Sequence, residues 1–215
     1  MSKKKVSKKC IFCEYLSFKS FSSVEKNDVD IISKWVYDSN MISEDSSYEI
    51  SKILRLDEEP YNSDDCLAIA HGTKCLNVKS ILDNGFTGKS RVYKYGEGTY
   101  FSDVFWKSTM YSRNAHDNTI CENCNLINCC LICFLPIAEL QNKNSEYKIK
   151  AEYKTLNNKN LVTDFCGRKW HFLNEEQKKQ IKQKELVTDD LFNEFVISGR
   201  QLVPKLLLLT RRCDK

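Results

Sequence analysis

The chain of 215 residues suits one compact domain, or one domain with a tail. Its 41% hydrophobic content, with 3 Trp, 10 Tyr and 11 Phe, can fill a core, and no apolar run approaches the ~18 residues of a membrane-crossing helix. A net charge of +4, from 33 basic and 29 acidic residues interspersed beyond the first ten positions, implies neither a nucleic-acid nor a membrane partner.

Residues 1–22 read as a basic flexible tail without the apolar stretch of a secretory signal, and 23–215 as one domain. Eleven cysteines in such a chain point to a reducing compartment, cytoplasm or nucleus, rather than to a disulfide framework. The pair Cys10 and Cys13 lacks two further ligands and reads as incidental. Over 26–38, Val29, Ile32, Trp35 and Val36 fall at helical spacing, with Asp28 and Asp30 at the end where the helix dipole favours them. Residues 47–56 repeat that pattern with Ile50, Ile53 and Leu54 on one apolar face.

Cys66–Ala70 reads as a short buried strand, and Leu76–Leu82 as a helix stopped at Asn84-Gly85 by a left-handed cap. Thr99–Ser102 is a second strand after a Gly-x-Gly turn, 105–112 a helix, and Leu131–Ile137 a third strand with Pro136 at an edge or bulge. Residues 141–190 carry little periodic signal apart from a solvated helix over 174–186; His171, beside Arg168 and Trp170, is assigned to packing. Two strand-like runs, Phe195–Ser198 and Leu202–Leu209, close the chain. Short strands broken by a few helices indicate an α+β domain.

Three polar residues stand at the edges of short apolar strands: His71, Tyr100 and Glu194. Singly, each has a bland reading as a structural hydrogen-bonder, a core ring and a surface acid. They sit, however, in an ordered series. It runs His71-Gly72-Thr73, Asn77, Ser80-Ile81-Leu82, Gly85-Phe86, then Tyr95-Gly96-Glu97-Gly98-Thr99-Tyr100-Phe101, Lys107-Ser108, Tyr111, and finally Asn193-Glu194-Phe195-Val196-Ile197, Gln201 and Pro204. This series resembles the signature of the poly(ADP-ribose) polymerase family, across about 66–137 and 190–209 with an echo at Ile50–Leu56.

The resemblance implies a diphtheria-toxin-like ADP-ribosyltransferase: a split antiparallel β-sheet with flanking helices, a His-Tyr-Glu triad, and NAD+ as substrate. It assigns the nicotinamide amide to the Gly72 backbone and the Ser108 hydroxyl, and the nicotinamide ring to Tyr100 and Tyr111. His71 would bind the adenine-side ribose, as neutral imidazole or as cation, with Thr73, Asn77, Phe101 and Lys107 completing the dinucleotide set. Glu194 would be catalytic, its carboxylate on the ribose 2′-hydroxyl stabilising oxocarbenium-like charge. The acceptors implied are proteins, and a Glu at this position permits extension to poly(ADP-ribose). The Gly/Ser-rich segment usual between the triad Tyr and Glu is missing, which leaves the acceptor open.

A second cluster, His116, Cys121, Cys124, Cys129, Cys130 and Cys133, falls where tankyrases carry a short zinc-binding insertion, here assigned to 113–133. His116, Cys121, Cys124 and Cys130 are the expected ligands of a structural Zn²⁺, with Cys129 or Cys133 as rivals for the fourth place. Reduced, unliganded thiols are the alternative. The stretch before His71 is too short for the helical regulatory domain of some relatives, so NAD+ access without activation by DNA is expected. Rival functions are a non-catalytic module binding ADP-ribose or NAD+, an NAD+ glycohydrolase, and a tRNA 2′-phosphotransferase.

Overall fold

The computed structural model describes residues 14–16, 24–41, 46–56, 65–87, 95–112, 127–152, 161–183 and 192–214. Its strands are β1 (Ser46–Arg55), β2 (Cys66–Thr73), β3 (Thr99–Ser102), β4 (Ile127–Pro136), β5 (Ile149–Glu152), β6 (Leu161–Thr163), β7 (Lys169–His171), β8 (Glu194–Ile197) and β9 (Leu206–Asp214). The helices are α1 (Lys26–Asn40), α2 (Cys75–Asn84), α3 (Phe105–Thr109), α4 (Ile137–Gln141) and α5 (Glu175–Lys182). The sheet runs β1-β9-β4-β2-β3-β8-β5, every neighbour antiparallel, so the α+β reading with an antiparallel sheet holds.

The three central strands are nearly continuous apolar runs because both of their faces are covered. Leu67 and Ile69 of β2, Cys129, Leu131, Cys133 and Leu135 of β4, and Leu207 and Leu209 of β9 pack on one side against Val78 of α2 and Phe86. The alternate residues Ala68, Ala70, Cys130, Ile132, Phe134, Leu206 and Leu208 pack on the other against Ile32 and Trp35 of α1, Phe105 of α3, and Trp170. Helix α2 ends at Gly85, whose N–H bonds the Ile81 carbonyl at 2.8 Å; with φ 76° and ψ −177° this is an extended positive-φ glycine and not the left-handed helical cap expected.

The sheet splits at β2. Along one edge β2 pairs with β4 throughout, from Cys66↔Pro136 to Thr73↔Cys129. Along the other, β7 lies parallel at Leu67↔Lys169 and β3 touches only at Ala70↔Ser102. Beyond Ala70 the β3–β8–β5 leaf diverges, and His71-Gly72-Thr73 borders the resulting gap.

Residues 47–56 are strand β1 rather than a helix. A register shift between Ile50 and Lys52 breaks the two-residue alternation, so that Tyr48, Ile50 and Ile53 face the α1 side while Leu54 and Leu56 face the α2 side. A bulge thus mimics helical spacing. The segment 127–133 belongs to central strand β4, so it is part of the sheet and not of an insertion. Residues 113–126, and all of 1–22 except 14–16, lie outside the described residues.

Candidate active site

The gap at β2 is a cleft of about 430 Å³, bordered by His71, Gly72, Thr73, Asn77, Gly98, Tyr100 and Tyr111, with Phe86 at its base. His71 is anchored by its rings and by one hydrogen bond. Its imidazole meets Phe86 at 5.1 Å and Phe101 at 5.7 Å, and Nδ1 lies 2.9 Å from the Tyr100 carbonyl oxygen. A carbonyl only accepts, so Nδ1 carries the proton and Nε2 is the acceptor. Burial lowers the His71 pKa below the usual histidine value, and the Tyr100 bond offsets only part of that. The ring is neutral at pH 7, which decides between the two forms the sequence permits.

Tyr100 is held at both ends. Its hydroxyl donates to the Gly96 carbonyl at 2.9 Å and accepts from the Tyr95 N–H at 3.3 Å, closing the turn that precedes β3. Gly72 is needed for close approach, since a Cβ there would stand 1.7 Å from the Ser108 carbonyl oxygen. The Ser108 hydroxyl is turned away from the cleft, 3.0 Å from the Ala70 carbonyl, and fastens α3 to the back of β2. Phe101 is likewise a core ring beneath the cleft, 2% exposed.

Glu194 opens β8 opposite Ser102 of β3, two register steps from Tyr100 and therefore on the same sheet face. Its Oε1 accepts from the Tyr111 hydroxyl at 3.3 Å and lies 3.5 Å from the Lys107 ammonium. Lys107 is itself held over the Phe192 ring at 4.6 Å. Tyr111 borders the cleft and Glu194 does not, so Tyr111 is the link between the carboxylate and the cleft. Strands β2 and β3 thus bring His71 and Tyr100 to the cleft, and Glu194 of β8 joins it through Tyr111.

A model of the poly(ADP-ribose) polymerase catalytic domain matches residues 27–205. The chain belongs to this family. Membership implies NAD+ as substrate and ADP-ribosyl transfer as the class of reaction, and the split sheet fits the fold. A search of curated proteins finds no match.

Behind this poly(ADP-ribose) polymerase-type site lies a buried group that sequence reasoning passed over. Asp103 is fully buried and accepts from the Asn193 N–H at 2.8 Å, from Asn193 Nδ2 at 2.6 Å, and from His171 Nδ1 at 2.8 Å. The available signal was an acid directly after a buried strand and ahead of Val104-Phe105-Trp106.

Of the expected zinc set, the described residues hold Cys130 alone. His116, Cys121 and Cys124 lie outside the described residues, among which no group of three or more His, Cys, Asp or Glu is placed to hold a metal ion. Cys130 and Cys133 face opposite sides of β4, so they cannot ligate one ion together. Burial pushes the Cys130 thiol up to about 12 despite a hydrogen bond with Ser108, and pushes Cys133 up as well. As packed, Cys130 is a core thiol and does not fit the fourth ligand position.

Proposed function

We propose that this chain cleaves the nicotinamide–ribose bond of NAD+ and transfers ADP-ribose to protein acceptors, with Glu194 as the catalytic carboxylate. The observation that carries the reading is the convergence of Lys107 and of Tyr111, which borders the His71–Gly72–Thr73 cleft, on one oxygen of Glu194. Bond cleavage builds positive charge on the ribose. A carboxylate hydrogen-bonded to the 2′-hydroxyl stabilises that charge and orients the incoming nucleophile. Lys107 sets a positive charge 3.5 Å from the carboxylate, and Tyr111 offers a ring face for nicotinamide.

His71, with Nε2 as acceptor, suits a ribose hydroxyl at the other end, near Thr73 and Asn77. The Asn77 amide is 3.4 Å from the Thr73 hydroxyl, which groups the polar atoms of that end. Ser108 acts from behind, fixing the wall against which Gly72 presents its backbone to the nicotinamide amide. Glu194 also permits repeated addition to a ribose hydroxyl, hence polymer. In a narrower form, zinc bound by His116, Cys121 and Cys124 has a structural role only, and substoichiometric zinc in the purified protein removes that reading.

The test is incubation with labelled NAD+, resolving free nicotinamide, single-unit protein adducts and polymer. Glu194→Gln should bind NAD+ as the parent does while transfer falls on the order of 10²–10³-fold. Near-normal transfer in that variant overturns the assignment. Nicotinamide release without labelled protein selects the glycohydrolase reading, and NAD+ binding without release selects the non-catalytic module.

A further inference from the structure

Asn193 immediately precedes Glu194, so whatever fixes Asn193 fixes where the carboxylate begins. Asp103 grips it from three directions: Oδ1 accepts the Asn193 N–H, Oδ2 accepts its side-chain amide, and the Asp103 N–H reaches the Asn193 carbonyl at 3.4 Å. Trp35 of α1 donates from Nε1 to the Asp103 carbonyl at 3.1 Å, holding the same residue from the helical side. A fully buried carboxylate is tolerable only if charged or strongly hydrogen-bonded partners satisfy it. The remaining donor is His171, at the end of β7 and 9% exposed, whose Nδ1 lies 2.8 Å from Asp103 Oδ2.

We propose that His171 is a positioning residue for the transfer reaction, acting through Asp103 and Asn193 to set the geometry of Glu194. This inference rests on the catalytic reading of Glu194. His171 touches neither the cleft nor Glu194, and its effect passes through bonds of 2.8 and 2.6 Å that end one residue before the carboxylate. By contrast, Glu194 meets Tyr111 and Lys107 at 3.3 and 3.5 Å, too long to aim it alone. Burial by itself would lower the His171 pKa, but the Asp103 charge and hydrogen bond outweigh it and raise it. His171 therefore presents its Nδ1 proton to Asp103, whose oxygens accept from Asn193 at 2.8 and 2.6 Å.

His171→Asn and His171→Gln test this against a purely structural role. The amide nitrogen of Asn can stand near Nδ1, whereas that of Gln stands near Nε2. Asn should recover most of the rate. Gln should lower kcat on the order of 10- to 100-fold, as expected for a catalytic group misplaced by about 1 Å. KM for NAD+ should stay within about twofold in both, because the cleft residues are untouched. Active fraction, titrated by a single-turnover burst, normalises kcat for any loss of folded protein.

Each variant is repeated in the Glu194→Gln background, where His171→Gln should cost nothing further, since its route is already broken. Equal kcat in the Asn and Gln variants overturns the proposal, as does a further loss in the Glu194→Gln background. If Glu194→Gln alone retains transfer, the catalytic reading falls and this inference falls with it. If Glu194→Gln is inactive while His171→Gln is fully active, only the positioning role falls.

Discussion

Replacing Arg168 with Met should be among the most damaging single changes outside the cleft. The Arg168 side chain is fully buried. Its Nη2 bonds Asp28 of α1, its Nε bonds Asp164 at 2.5 Å, and its guanidinium lies 4.6 Å above Phe134. Met keeps most of the volume and loses the charge, leaving two buried carboxylates. Asp164 retains the Cys166 and Arg168 N–H groups and Trp170 Nε1, so most of the cost falls on Asp28. Breaking a buried pair from one side typically costs about 3–5 kcal/mol. For a domain of this size that is a drop in Tm of roughly 6–20 °C. Urea unfolding of Arg168→Met, Asp28→Asn and the double variant gives the coupling directly, and the double variant should recover at least about 1 kcal/mol of the summed loss. A single-variant cost below about 1 kcal/mol, or additivity within about 0.5, refutes the view that this pair ties α1 to the β6–β7 hairpin.

Gly72→Ala should lower nicotinamide affinity on the order of 10²-fold, because a Cβ 1.7 Å from the Ser108 carbonyl forces β2 and α3 apart at the cleft wall; nicotinamide titration by calorimetry checks this, and an unchanged Kd refutes it. NAD+ binding should be flat above pH 6.5 and weaken only below it, because the folded His71 pKa lies under that ordinary value and Nε2 must stay unprotonated to accept. In stability the two buried histidines act in opposite senses. His71 takes up its proton more readily when unfolded and so costs stability as pH falls through 6.5. His171 is raised, so its contribution is complete below 6.5 and is lost as pH rises through its folded value. A His171→Asn variant should therefore lose the part of the stability profile that declines above pH 6.5, measured by denaturant midpoints across pH.

Where burial was two-sided or helical spacing was regular, the sequence was readable. Helix α1 follows from Val29, Ile32, Trp35 and Val36, and Thr99–Ser102 has the bounds its turn implied. Strand β1 was misread because one extra residue between Ile50 and Lys52 converts alternation into near-helical spacing, and only its partner β9 reveals the bulge. Asp28 was read only as an acid at the helix start and Arg168 only as a neighbour of His171, because nothing local says that residues 140 positions apart will meet in the core. The motif located the cleft residues, but not the direction of the Ser108 hydroxyl or the buried side of Phe101. Both are set by packing between α3 and β2, which no local spacing encodes.

The contacts around Glu194 divide by length in a way that fits the proposed chemistry. In front, toward the cleft, its carboxylate oxygen has long partners, Tyr111 at 3.3 Å and Lys107 at 3.5 Å. Behind, the chain leading into it is held by short bonds of 2.6 and 2.8 Å in a fully buried setting. Hydrogen bonds weaken with length and strengthen with the exclusion of water, so the rear contacts fix position while the front ones can be exchanged. A carboxylate that must release Tyr111 to take up a ribose hydroxyl needs this asymmetry. Were the front bonds the shorter ones, binding substrate would first require breaking them, and the site would be organised around its empty state. The split at β2 makes the arrangement possible, because it opens the front of β3 and β8 to ligand while α1, β7 and Asp103 close the back.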